Sequence, residues 1–279
     1  MLLAPLIKGR SRMYFSRAVQ VKYVDLPDVD SDQISLRLFP SQENPDSLVV
    51  WIHGGGWVKG DRRNVREMPR FFQDNNVLFV SANYPLRPST DTSLIDLQLQ
   101  ALEGLNHWLE DNSYQHTYSR AFKNISILSH SAGSHLVTLA DKRFGWSSSV
   151  RNLILMDSGA YDLKARFKRG RPLQRKMFEN LIRLDLYPAS EYDDILRSYS
   201  PALLPSRPRE GHPLNVIIIS SERPGARYSA ERLKSSYAVT GYTCRTYFWD
   251  WEHDDFPDAV GVDHRLSDLI LNACMSVQL

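Results

Sequence analysis

Ser131 lies in the run Ser129-His130-Ser131-Ala132-Gly133, directly after an apolar stretch at 125–128 and directly before a stretch with helical periodicity. A serine at the apex of a strand-to-helix turn presents its hydroxyl outward, and small residues two positions to either side let the backbone make the turn. The start of the helix adds backbone N–H groups and the positive end of a dipole, both suited to a developing oxyanion. The chemistry this arrangement permits is nucleophilic attack on a carbonyl. The usual glycine at the first position of such a turn is Ser129 here. On its own, therefore, the pattern fits a serine-rich turn without chemistry equally well. A second run, His53-Gly54-Gly55-Gly56-Trp57, ends the apolar stretch 47–53. Three successive glycines allow backbone N–H groups to face one point unobstructed, and each such donor can stabilise a tetrahedral oxyanion by about 3–4 kcal/mol. The two runs in this order favour an oxyanion loop over a plain glycine turn.

The elements that must position these residues are legible from periodicity. Short apolar runs at 19–26, 33–38, 47–53, 76–83, 125–128, 153–157, 216–220 and 243–250 read as strands. Most are continuous rather than alternating, as in strands covered on both faces. Helical stretches fall between them at 67–74, 93–109, 133–142, 228–240 and 263–277, with Leu94, Leu97, Ala101, Leu105 and Trp108 on one stripe. Strands alternating with helices imply a doubly wound, mostly parallel α/β sheet. About sixty residues separate the strand at 153–157 from that at 216–220, with helical patterns at 173–184 and 193–204. An insertion of that length is expected to form a small helical cap, approximately 160–212, over the C-terminal edge of the sheet, where ligands of α/β folds bind. No repeat or low-complexity linker interrupts 1–279, so one domain is expected.

With these runs in place, the chain resembles the α/β-hydrolase family, in particular the HGGG-bearing esterases and the kynurenine formamidases (arylformamidases), from about residue 19 to the C-terminus. Besides HGGGW, the run Ser81-Ala82-Asn83-Tyr84-Pro85-Leu86-Arg87-Pro88 is similar to a strand end of that family. Ser158-Gly159-Ala160-Tyr161-Asp162-Leu163 is similar to the formamidase segment that leads into the cap, and Ser200-Pro201 to a further pair. The resemblance implies a Ser–acid–His triad in that chain order. Ser131 is then the nucleophile. Of the eight histidines, His53 belongs to the glycine loop, His130 and His135 flank the serine, and His107, His116 and His212 lie in no motif. Of the remaining two, His264 falls within the last helical stretch, whereas His253, in Trp251-Glu252-His253-Asp254-Asp255-Phe256, is similar to the family's histidine loop. The acid is expected after the strand 216–220, where Glu222 is the only carboxylate. Asp250 and Asp254 are nearby alternatives and Asp157 is a more distant one. Backbone N–H groups of Gly55, Gly56 and Ala132 would form the oxyanion hole. Trp57 would line the substrate pocket or belong to the core.

The remaining composition is that of an ordinary globular chain: 279 residues, 42 % hydrophobic and 24 % charged. A net charge of +2 gives no sign of nucleic-acid binding, and two cysteines, Cys244 and Cys274, exclude a disulfide scaffold and fit a reducing compartment. No metal-ligand spacing and no phosphate-binding G-x-x-x-x-G-K-S/T is present, so neither a metal nor another cofactor is expected. Met1–Ile7 is too short to span a bilayer. Lys8, Arg10, Arg12, Arg17 and Lys22 all precede the first acid, Asp25, a pattern also found in transit peptides; a packed N-terminal arm in a cytoplasmic protein is the simpler expectation. Asn124-Ile125-Ser126 matches a glycosylation acceptor but opens an expected buried strand. The 164–183 stretch is rich in Lys and Arg, which could favour a carboxylate-bearing substrate such as N-formylkynurenine or form a solvated helix face. Three functions fit: an arylformamidase-like serine hydrolase, a broad short-acyl carboxylesterase, and a catalytically silent binding protein of the same fold. The oligomeric state is not legible.

Overall fold

The computed structural model describes residues 18–40, 45–87, 92–111, 122, 124–209, 212–239 and 241–275. The basic N-terminal stretch through Arg17, His116 and Pro88 lie outside them. Eight strands form one sheet: β1 (Val19–Lys22), β2 (Ser35–Phe39), β3 (Ser47–Ile52), β4 (Val77–Ala82), β5 (Asn124–His130), β6 (Val150–Met156), β7 (Leu214–Ser221) and β8 (Tyr242–Trp249). Their spatial order is β1-β2-β4-β3-β5-β6-β7-β8. β1–β2 and β2–β4 pair antiparallel, and every later pair is parallel. β3, β4 and β5 are buried along their whole length, the reason their sequences are apolar without alternation. Asn124 is itself buried, its side chain bonded to Asn152 at 3.0 Å and to the carbonyl of Cys274 at 2.7 Å, so the glycosylation match is inaccessible in the fold.

Helices α1 (Met68–Asp74), α2 (Leu94–Glu110), α3 (Ala132–Arg143), α4 (Leu163–Arg169), α5 (Pro172–Ile182), α6 (Tyr192–Ser198), α7 (Pro224–Ser236), α8 (Asp255–Ala259) and α9 (His264–Met275) complete the described elements. They cover both faces. One core gathers the inner sides of α2, α3 and α7, and a second gathers α1, α8 and α9 on the opposite face. Leu94, Leu97, Ala101, Leu105 and Trp108 are all buried, as their spacing requires. Ser93 caps α2 by accepting the N–H of Asp96 at 3.1 Å. α5 and α7 begin earlier than periodicity indicates because Pro172 and Pro224 occupy first-turn positions, where a missing N–H costs nothing.

The β6–β7 connection holds α4, α5 and α6 with 3-10 turns at Leu184–Leu186, Ala189–Glu191 and Pro201–Leu203. α4 and α8 are short and escape periodicity. Phe178, Leu181, Ile182, Leu196 and Tyr199 from this connection join the α2–α3 core, so these helices pack onto the body beside the strand ends. The parallel order directs the C-terminal ends of β3, β5, β6, β7 and β8 to one edge, and the loops that leave this edge carry every expected site residue. No described helix is long and apolar enough to cross a membrane.

Candidate active site

Ser131 follows β5 with φ 53° and ψ −117°, a left-handed conformation that swings its side chain out of the sheet before α3 begins. Its N–H is held by the carbonyl of Met156 at 2.9 Å. The turn needs Gly133: a Cβ there would lie 2.5 Å from the carbonyl oxygens of Ile52 and His53, at the end of β3. Ser129, by contrast, is not in the left-handed region, so its position calls for a small residue rather than glycine. Its buried hydroxyl lies 3.3 Å from the carbonyl of Ile154 and 3.1 Å from Ser134 Oγ.

His253 sits between β8 and α8. Its Nε2 is 2.8 Å from Ser131 Oγ and its Nδ1 is 2.7 Å from Asp157 Oδ2. A carboxylate can only accept, so Nδ1 carries the proton and Nε2 faces the serine hydroxyl as acceptor. Trp249, Trp251 and Phe256 pack in sequence around this loop as tilted ring pairs, centroids 5.9 and 5.4 Å apart, and anchor it in the second core.

The carboxylate against His253 is thus Asp157, and the expectation for Glu222 is corrected. β7 ends at Ser221. Glu222 continues it as an exposed residue whose N–H donates to the carbonyl of Trp249 at 3.1 Å. Asp157 leaves β6 at φ 38° and reaches over the end of β7, where its N–H bonds Ile219 O and its Oδ1 accepts the N–H of Ser221 at 2.8 Å. Its side chain therefore fills the place a β7 acid would need. Asp250 and Asp254 are exposed and make no hydrogen bond to His253. The signal for Asp157 was the one used for Ser131, a polar residue closing an apolar parallel strand.

Asp157 is fully buried and accepts from four groups: the N–H of Ser221, Ser220 Oγ, His253 Nδ1 and Arg223 Nη2 at 2.5 Å. Burial alone would raise its pKa, but the hydrogen bonds from His253 and Ser221 outweigh it and hold the carboxyl well below the ordinary range. Arg223 was not anticipated from the sequence. His130 and His135 were set aside there, and each now has a defined contact. His130 Nε2 donates to the carbonyl of His253 at 2.9 Å. His135 donates from Nε2 to the carbonyl of Tyr199 at 2.9 Å and accepts the Trp57 indole N–H on Nδ1 at 3.3 Å. His53 packs against Tyr84, with ring centroids 4.3 Å apart, and its Nδ1 bonds Gly54 O at 2.7 Å, bracing the glycine loop. His107 lies on α2, His212 precedes β7 and His264 opens α9, and none of the three is among the residues lining the cleft over Ser131.

A cleft of about 1250 Å³ opens over the serine. Gly56, Trp57, Ser131, Ala132 and His253 all line it. The N–H of Ala132, first residue of α3, has no partner within the helix. Gly55 stands behind Gly56 at φ 124°, where a Cβ would meet the carbonyl of Lys59 at 2.1 Å; glycine here sets the path of the loop. Trp57 belongs both to the cleft wall and to the core: it is buried, its ring edge-on to His135 and Phe178.

Residues 35–153 match the family model described as BD-FAE. No curated protein sequence matches the chain. Among solved structures, a protein assigned as a thioesterase from Silicibacter sp. tm1040 superposes with a TM-score of 0.64 at 18 % identity, covering 94 % of this chain and 87 % of that one. Esterase B from Lactobacillus rhamnosis gives 0.63 at 17 %, covering 92 % and 85 %. A hyperthermophilic esterase from the archaeon Pyrobaculum calidifontis gives 0.56 at 16 %, covering 86 % and 80 %. The strand order, the turn at Ser131 and these likenesses identify the architecture as the α/β-hydrolase fold.

Proposed function

We propose that the chain is a serine hydrolase of small carboxylic esters or amides acting through an acyl-enzyme. The observation that carries this is the continuous line Ser131 Oγ, His253 Nε2, His253 Nδ1, Asp157 Oδ2, at 2.8 and 2.7 Å across its two hydrogen bonds. His253 takes the Ser131 proton as Oγ attacks the carbonyl carbon. Ala132 and Gly56 offer N–H groups to the oxygen that becomes negative, with Gly55 shaping the loop. Collapse breaks the bond to the alcohol or amine, which leaves with the proton held on His253. Water then gives a proton to His253 and attacks the acyl carbon, releasing the acid and restoring Ser131. Asp157, ionised throughout, stabilises the imidazolium and fixes its tautomer.

Within this class arylformamidase is the specific activity proposed, with N-formylkynurenine as its substrate. Its support is the segment from Ser158 to Leu163, which enters the connection we propose acts as the cap, approximately 160–212. Asp162 caps α4 there by accepting the N–H of Ala165 at 2.9 Å. A broad short-acyl carboxylesterase is the second reading, favoured by the esterases among the superposable structures. A fluorophosphonate probe tests the class: labelling of the wild type that disappears in Ser131→Ala is expected, and a folded wild type that never labels would refute it. Rates on N-formylkynurenine against p-nitrophenyl acetate and butyrate test the substrate. A formamide rate no better than the ester rates removes the formamidase.

A further inference from the structure

The wall of the cleft is charged with one sign. Arg166, Arg169, Arg171, Lys176 and Arg223 line it, and among the described residues no Asp or Glu does. Most other basic groups of the β6–β7 connection are matched. Lys164 and Lys168 share Asp193 at 3.1 and 2.8 Å, Arg183 meets Asp185 at 3.1 Å, and among the cleft residues Lys176 meets Glu179 at 3.4 Å. Arg169 lies over the Tyr228 ring at 4.7 Å.

Arg166 is different. Among the described residues its guanidinium has no hydrogen-bond or ion-pair partner, and its Nε is buried without one. It packs against Gly159, where a Cβ would lie 2.3 Å from Nη1. A guanidinium offers five donors in a rigid plane, so an unmatched one in a partly enclosed wall is costly unless an acceptor arrives. Arg223 is committed to Asp157 at 2.5 Å and to Ser221 Oγ at 2.9 Å. Asp157 in turn serves His253, so the one carboxylate near Arg166 is already taken up by other partners. Burial and then the charge of Arg223 hold Arg166 below its ordinary pKa, and the opposing pull of Asp157, already bonded to Arg223, is the weakest of the three influences.

We infer that the cleft is built for a substrate that carries an oxyanion, a carboxylate or a phosphate, bound by Arg166 and Arg223 while its scissile carbonyl stands at Ser131. Arg223 is three hydrogen-bond links from Ser131 Oγ, through Asp157 and His253. The anionic group is thus one borne on the same small molecule, as in a hemiester of a dicarboxylic acid. The inference rests on the hydrolase reading and narrows its substrate. It also disfavours esters with a net positive charge, since among the described residues the charged side chains lining the cleft are basic. Because the anion is held alike in ground and transition states, the preference belongs mainly in KM.

The experiment compares four p-nitrophenyl esters of similar length on the full chain: the hemiglutarate, the 4-phosphonobutyrate, the neutral valerate and the 4-(trimethylammonio)butyrate. At low salt the two anionic esters should exceed valerate in kcat/KM by roughly 10–100-fold, the scale of a charge-assisted hydrogen bond. The cationic ester should be the poorest. The better of the two anions tells carboxylate from phosphate. The advantage should shrink as salt rises and approach unity in Arg166→Gln. The salt series on the wild type keeps the test independent of how that variant folds. Valerate hydrolysed as well as the anionic esters at low salt overturns the inference and leaves the hydrolase standing. If no ester is cleaved, the hydrolase reading fails, and calorimetry of monomethyl glutarate against methyl valerate on Ser131→Ala protein still decides: tighter, salt-sensitive binding of the anion supports the cleft assignment, and equal binding overturns it.

Discussion

His130 donates its Nε2–H to the carbonyl oxygen of His253 across 2.9 Å, and the two rings lie 4.6 Å apart. The residue before the nucleophile therefore holds the backbone of the residue that is to accept its proton. β5 sets His130 rigidly, whereas His253 lies in a loop between β8 and α8, so the bond transfers the register of the sheet to the loop.

His130→Ala should therefore lower kcat by about 10- to 100-fold, the scale of a broken buried hydrogen bond, with KM little changed. His130→Gln, which keeps an N–H donor, should recover part of the loss. Steady-state kinetics on one activated ester measures both. A loss confined to KM, or no rescue by glutamine, would show that the contact only fills space.

Asp157→Asn should reduce kcat by about 10⁴-fold, because the amide fixes the wrong tautomer of the imidazole. Glu222→Gln should leave kcat and KM at the wild-type values, since its side chain faces solvent beyond the end of β7. The pair, assayed side by side, assigns the acid. The reverse outcome would mean that the loops at this edge rearrange in the active enzyme.

How Ser131, the glycine loop and His253 come together was legible because each closes or follows an apolar run, and a parallel order sends all such ends to one edge. Asp157 had the same signature. It satisfies the same chain order but lost to Glu222 because the resemblance puts the acid on the loop after β7, and nothing in the sequence tells that a β6 residue can reach over Ser221. Arg223 was silent for a related reason: an arginine two residues beyond a strand looks solvated until the buried carboxylate beside it is known. The insertion was legible from its length, and most of its expected helices exist. α4 and α8 were not: α8 spans five residues, little more than one turn, and α4 sits in a run of Lys and Arg that reads as a solvated face.

The two small residues around Ser131 answer to different forces, and substitution should separate them. Gly133→Ala places a methyl 2.5 Å from two carbonyl oxygens, so α3 or the end of β3 must move. Destabilisation of about 1–3 kcal/mol is expected, together with lost activity. Ser129→Gly restores the usual motif residue, yet it removes buried hydrogen bonds to Ile154 and Ser134 and adds backbone freedom. It should cost about 1–2 kcal/mol while activity persists. Urea denaturation and kinetics on the two variants check this. A Ser129→Gly protein more stable than wild type would contradict it.

Acid should unfold the protein through its buried histidines. Burial first of all holds His53, His130 and His135 near 4, against about 6.5 in an unfolded chain. Between these values the unfolded chain binds more protons than the folded one, so stability falls as pH falls from about 6.5 towards 4. Each imidazole kept neutral accounts for about 3 kcal/mol over that window. Three together approach the whole stability of an ordinary domain. Asp157 acts in the same direction but lower, because its carboxyl stays ionised below the ordinary carboxylate range. The urea midpoint should therefore be nearly flat above pH 7 and drop steeply from about pH 6.5 to 4.5. A midpoint that held constant down to pH 5 would mean that all three rings take up protons inside the fold, and a shallower fall that some do; His53, whose Nε2 has no partner among the described residues, is the first to examine.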